Sequence, residues 1–291
     1  MLQEILEQLF EFAAKSIPSE QILEAKKSYQ KETGEIYEDD QSYNTRMALF
    51  LEWYLFDNYI DDSSTTILDS LLQENPEDWD ADQIEKYKKI KETFQALYLV
   101  KKVKDDSVKV LNLFTDEIFL VQDKDSKLIF RKNDIFQGRI VLFEDQYYFT
   151  GNFCFHPEKT HRFIKPEIKN VSKILIQHKK DLAKLEKVIF KANKVLNNLE
   201  SKIESFETKI SQSESEGKTE RLQQKLAVLV EDKEKQVKQI QDLETKAFVI
   251  KNDKIKIEGN KQINALINRF AYMNLKWERS RQIEISDIYK N

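Results

Sequence analysis

The sequence predicts an α+β protein: a mainly helical amino-terminal head with a small antiparallel β module, then a long antiparallel coiled-coil hairpin. Three observations carry this expectation. An apolar repeat with alternating steps of four and three runs unbroken over about 40 residues of the second half. Short runs rich in Val, Ile, Phe and Tyr alternate with polar turns between positions 107 and 156. Only 5 Gly and 4 Pro occur in 291 residues, too few for the turns of a large all-β architecture, while 11% aromatic residues exclude a disordered chain.

Leu2, Ile5, Leu6, Leu9 and Ala13 stand at helical spacing, and Ser16-Ile17-Pro18-Ser19 ends that helix and begins the next. The second helix is expected to reach Gly34, before an acidic loop through Asp39 and Asp40. Residues 47–56 (MALFLEWYLF) are apolar except for Glu52, the mark of a helix buried on nearly every side. Ser63 and Ser64 precede a short helix through Ile67, Leu68, Leu71 and Leu72 that stops before Pro76. Asp80 and Gln83 have capping-box spacing. Ile84, Tyr87, Phe94, Leu97 and Tyr98 then predict a helix that carries the helical part of the head to residue 104.

Strands are expected at 107–112, 117–122, 139–144 and 146–155. So few short strands make a small antiparallel sheet or an SH3-like or OB-like barrel, which needs the amino-terminal helices for stability. The head is therefore 1–157, with helices in 1–104 and the β module in 107–156. The second domain, 158–291, holds the hairpin and a terminal amphipathic helix.

The hairpin seam begins at Val171, Leu175 and His178. It continues through Leu182, Leu185, Ile189, Ala192, Leu196, Leu199, Ile203, Phe206 and Ile210. A polar loop at 211–217 separates it from Leu222, Leu226, Leu229, Lys233, Gln236, Ile240, Leu243, Ala247 and Ile250. Two seams joined by a tight loop are best satisfied by folding back on each other, the first helix being roughly 65 Å long. Lys233 and Gln236 weaken the second seam unless their polar ends reach past their neighbours to water. After a break near 252–259, Ile263, Leu266, Ile267, Phe270, Met273 and Trp277 line the last helix.

The net charge is −4, but residues 1–157 carry −13 and residues 158–291 carry +9. No P-loop, GxGxxG, GxSxG or HExxH motif and no nucleophile–His arrangement occurs, so neither an enzyme nor a cofactor is expected. The single Cys154 excludes an internal disulfide and a CxxC zinc site. Cys154, His156 and His161 are the one cluster of soft ligands, since strand residues two apart share a face. The plainer reading is a buried cysteine with histidines at a strand end.

Asp57, Asp61, Asp62, Asp78, Asp80 and Asp82 lack the spacing of an oxygen-ligand loop and read as helix caps and a solvated face. His178, at a seam position, reads as a neutral residue near the open end of the hairpin. Arg269, Lys276, Arg279 and Arg281 interleave with Phe270, Tyr272 and Trp277, a pattern that can pair phosphates and stack bases. No run approaches the ~20 apolar residues of a membrane span, and the amino terminus does not resemble a signal peptide. A soluble protein of the reducing cytoplasm, with no membrane partner, is expected.

Leu51-Glu-Trp-Tyr-Leu-Phe-Asp57, Leu111-Asn-Leu-Phe-Thr-Asp-Glu117 and the run from Asn133-Asp-Ile-Phe-Gln-Gly-Arg-Ile140 through Phe153-Cys-Phe-His-Pro157 resemble an uncharacterised bacterial family. That family has an EWFLFD-type helical module and a β module with a GD-I-x-x-R turn, here Asn133-Asp134. The likeness spans about 40–160 and implies no activity, the hairpin looking like an addition to it. The expected function is a non-enzymatic interaction or scaffolding protein that self-associates or binds a partner through Leu182, Leu185, Ile189, Leu196, Leu199, Ile203 and Phe206. The alternative is a nucleic-acid-associated protein using the β module and the basic carboxyl half.

Overall fold

The computed structural model describes residues 2–60, 65–75, 79–213 and 215–290. Five helices open the chain: α1 (Leu2–Ser16), α2 (Ser19–Thr33), α3 (Tyr43–Phe56), α4 (Ile67–Glu74) and α5 (Ala81–Ile90). They share one core, in which Leu9, Phe50, Leu55, Leu68 and Ile90 are buried. α2 stops at Gly34, whose φ of 81° suits glycine and where a Cβ would come within 2.5 Å of the Tyr272 ring. Thr66 with Asp69, and Asp80 with Gln83, form reciprocal capping boxes at the starts of α4 and α5. Asp61, Asp62, Ser63, Ser64, Pro76 and Asp78 lie outside the described residues.

The helix expected to run to residue 104 ends instead at Ile90, and Thr93–Val103 is strand β1. Ala96, Tyr98 and Val100 point to one face of β1, and Leu97, on the other face, is also fully buried. Burial on both faces hides the two-residue alternation that marks a half-buried strand. β2 (Ser107–Asn112) and β3 (Ile118–Gln122) follow, then the single turn α6 (Ser126–Ile129), β4 (Ile135–Phe143), β5 (Gln146–Phe149) and β6 (Cys154–His156). The strand expected at 146–155 is thus two strands, parted around Gly151 (φ 95°).

The sheet is mixed rather than purely antiparallel. β1 pairs with β2 through its second half and with β4 through its first, so the order β1-β2-β3-β5-β4 closes on itself. β3 and β5 run parallel and the other pairings are antiparallel. This order, with a helical turn between β3 and β4, is the OB-type barrel. Glu144 (φ 48°) and Asp145 (φ 61°) make the β4–β5 turn in the left-handed conformation that a two-residue hairpin requires. Phe119, Val121, Phe136, Ile140 and Phe149 fill the barrel core.

A 3₁₀ turn (Glu158–Thr160) leads into α7 (His161–Ser211), which is followed by α8 (Glu216–Val249). The break expected near 252–259 is a π-helical stretch, Ile250–Glu258, running directly into α9 (Gly259–Arg279), with α10 (Ile285–Tyr289) last. The wider π turn rotates the apolar stripe, so that α8 and α9 need not bury the same face.

Contacts divide the chain into two units: residues 1–173 with 259–291, and residues 174–258. Composition changes at 157/158, whereas contacts change at 173/174 and return to the head at 259. Ile164 and Ile168 of α7, Ile267 and Phe270 of α9 and Tyr289 of α10 all join the barrel-side core. The terminal helix therefore packs within the head unit.

Within unit 174–258 the two helices are antiparallel. Gln236 Nε2 donates to the Ala192 carbonyl oxygen at 3.0 Å, and Lys233 Nζ lies 3.0 Å from Glu200 Oε1. The two polar residues that interrupt the second seam thus bond across the pair.

Candidate functional site

On the helical pair, every expected seam position is the more buried member of its turn. Leu182, Leu185, Ile189, Leu196, Leu199 and Phe206 are nonetheless only half-buried, and of the interaction set only Ile203 is buried. Two helices cannot enclose a seam that a third or fourth would complete. Val188, Val195 and Phe190, the last 74% exposed, add apolar surface outside it. His178 is half-buried on the same face.

A buried polar cluster joins the barrel to α3. Arg139 of β4, 0% exposed, points outward from the barrel. Its guanidinium donates to Thr93 Oγ1 at 2.6 Å, to Gln95 Oε1 at 2.6 Å and to Asp57 Oδ2. Arg139 Nε stands 3.4 Å from Glu52 Oε2 without a hydrogen bond, while Asn152 donates to Glu52 Oε1 at 2.8 Å. The Phe56 ring lies against the guanidinium, 4.9 Å away.

One guanidinium faces two carboxyls here. Burial pushes the Glu52 and Asp57 carboxyls above their ordinary range, beyond what Arg139 offsets. Burial also opposes the guanidinium charge, but Asp57 and Glu52 hold Arg139 protonated. Asp57 has the direct hydrogen bond to the guanidinium, whereas Glu52 makes only the longer 3.4 Å approach. The cluster has the geometry of a structural tie between β4 and α3.

Nothing in the sequence singles out Arg139 as the partner of Glu52, although Glu52 alone in an apolar helix was a sign that a buried counter-ion would be needed. Asp57, read as part of a cap or a solvated face, is instead a half-buried ion-pair partner of Arg139. Asp80 is the cap of α5, and Asp82 is exposed and paired with Lys86.

Cys154 and His156 do share the buried face of β6, as their spacing implies. His156 Nδ1 lies 3.2 Å from Tyr289 Oη, and His161 Nε2 reaches the main-chain oxygen of His156 at 3.4 Å. The two rings therefore do not converge on one point. Among the described residues no group of three or more His, Cys, Asp or Glu is placed to hold a metal. Burial pushes the Cys154 thiol up to about 11 and, with the nearby charges of His161 and Arg46, pulls His156 down to about 3.

The basic residues of α9 are largely engaged. Arg269 pairs with Glu167 at 2.6 Å and Arg279 with Asp40 at 2.6 Å. Lys276 lies over the Tyr272 ring, and Arg281, beyond the helix end, over Trp277. Rings already covered by cations of the same segment are not free stacking platforms. The outer face of β2 and β3, where OB-type barrels hold oligonucleotides, presents Lys109, Ile118 and Leu120, aliphatic where bases would need aromatic rings.

The fold and site together define an α+β protein in which an OB-type barrel, tied to a helical layer, is combined with an antiparallel helical pair. The chain belongs to DUF7986, a family of unknown function whose model matches residues 2–203. The match extends beyond the 40–160 span of the motif likeness and takes in most of α7, so the first helix of the pair is part of the family pattern rather than an addition to it. No curated protein and no solved structure matches the chain. No described helix is long and apolar enough to cross a membrane.

Proposed function

We propose that this chain is a non-enzymatic interaction protein that self-associates through the helical pair 174–258. The half-buried seam carries the reading: Leu185, Ile189, Leu196 and Leu199 keep apolar surface that a second pair would cover as a four-helix bundle. Mixed charge on the outer positions, such as the exposed Lys235–Glu231 pair, leaves the seam as the surface that gains most from burial.

Multi-angle light scattering of the full chain and of Val188→Lys/Val195→Lys tests this. The full chain gives a mass of twice 34.6 kDa or more, and the variant, changed at two exposed positions, reverts to one chain. A monomeric wild type at all concentrations overturns self-association.

A further inference from the structure

One corner of the barrel does not match the acidic half to which it belongs. The end of β1, the turn α6 and the segment leading into β4 are held together by hydrogen bonds to main-chain oxygens. Asn133 N donates to the Val100 oxygen at 2.9 Å, and Ser126 Oγ to the Lys104 oxygen at 2.9 Å. These contacts gather Lys101, Lys102, Lys127, Arg131 and Lys132 around one shallow depression floored by Val103 and Phe130. Lys127 pairs with Asp105; the other four cations make no ion pair among the described residues. The nearby Asp123 and Asp134 are engaged by main-chain amides, from Asp125 at 2.8 Å and Arg131 at 2.6 Å. Lys101, Lys102, Arg131 and Lys132, gathered without an ion pair of their own, repel one another, and an anion relieves this.

The second observation is apolar. Leu128, on the exposed side of α6, is 86% exposed, the highest of any large apolar side chain in the described residues, and Ile129 beside it is 37% exposed. Both lie on the turn that carries Lys127, and Phe130 alone separates them from Arg131 and Lys132. Phe130, the one aromatic residue there, is buried against Phe136, Phe149 and Phe153 and offers no face to a base.

We propose that this corner docks on an anionic lipid surface, the cations meeting headgroup phosphates and carboxylates while Leu128 and Ile129 enter the apolar boundary. Phosphates of a nucleic acid would satisfy the cations equally well, but would leave Leu128 in water and find nothing to stack on. The contact is peripheral: a basic cluster with one apolar turn gives reversible binding that weakens as salt screens it. It is independent of the self-association proposed above.

Co-sedimentation of the full chain with vesicles tests it, using phosphatidylcholine alone and phosphatidylcholine mixed with phosphatidylserine. Binding is expected only to the mixed vesicles and should fall as salt rises. Lys101→Glu/Lys132→Glu is expected to weaken it by roughly tenfold or more. Leu128→Ser weakens it as well, and because the side chain is exposed, an unchanged circular dichroism spectrum shows that the fold is kept. Equal binding to both vesicle types, binding to neither, or full binding by either variant overturns the proposal. Binding of an oligothymidine that is lost in the charge variant but kept in Leu128→Ser, without vesicle binding, assigns the corner to nucleic acid instead.

Discussion

Arg46 Nη2 donates to Asn274 Oδ1 at 3.0 Å, and its Nη1 donates to the main-chain oxygen of Ala271 at 3.1 Å, 225 positions along the chain. Asn274 in turn donates to the Phe155 oxygen at 3.0 Å. One buried arginine on α3 thereby ties the last long helix to the first helical layer, and α9 carries the tie on to the barrel. Glu278, 3.4 Å from Arg46, supplies the counter-charge.

Arg46→Met should therefore loosen α9. It leaves Asn274 Oδ1 without a donor in a buried site and removes the second bond to the Ala271 oxygen, at a cost of roughly 3 kcal/mol. Urea unfolding gives the magnitude, and hydrogen exchange should place the lost protection in residues 259–279.

Arg139→Leu should cost more, about 3–5 kcal/mol, because two carboxyls stay buried with no counter-ion. Adding Glu52→Gln and Asp57→Asn to that variant should recover most of the loss, since the charges that needed Arg139 are then gone. A triple variant no more stable than the single one would show that Arg139 acts through packing on Phe56.

Glu52 also makes a prediction about pH. Its carboxyl is raised in the folded state, so the folded chain holds a proton that the unfolded chain has released. That contribution is complete below the ordinary glutamate range and is lost as pH rises through the raised value. Glu52→Gln does not titrate, so its stability relative to wild type should improve steadily from about pH 4 upward until the folded carboxyl has ionised. A constant difference across that window would mean that Glu52 is ionised in the fold.

Cys154 and His156 should behave as buried neutral groups. The thiol, up at about 11, should not react with a disulfide reagent at neutral pH until the chain unfolds. His156, down at about 3, contributes stability that is complete above 6.5 and lost as pH falls toward 3. Its imidazole signals should show the neutral ring until acid unfolding begins.

Leu199→Asp should weaken the helical pair by roughly 2 kcal/mol, since it sets a charge in a half-buried apolar seam. Protection from hydrogen exchange should fall in 174–258. The near-ultraviolet circular dichroism of the head should persist, because its rings, such as Phe50 with Tyr54 and Phe136 with Phe149, pack among themselves.

Much of the candidate surface was legible without coordinates. Leu182 through Phe206 repeat in steps of three and four, and each such position is the more buried one of its turn. The π-helical stretch was not legible, because its residues, Ile250–Glu258, look like any mixed run of Lys and Ile. The motif residues Glu52, Asp57 and Arg139 were visible one by one, but nothing in their spacing showed that they meet.

What the sequence by itself determined were the elements with one buried face, α1, β2 and the two long helices, together with the continuously apolar α3 and the capped start of α5. In α1, β2 and the long helices local periodicity and burial agree. Only the tertiary structure decided that Thr93–Val103 is a strand, that β1 meets β4 to close a barrel, and that α9 returns to the head. The reason is physical. A segment covered on both faces, like β1, loses its periodic signature, and the partner of a buried charge such as Arg139 is set by distance in space, which spacing along the chain does not encode.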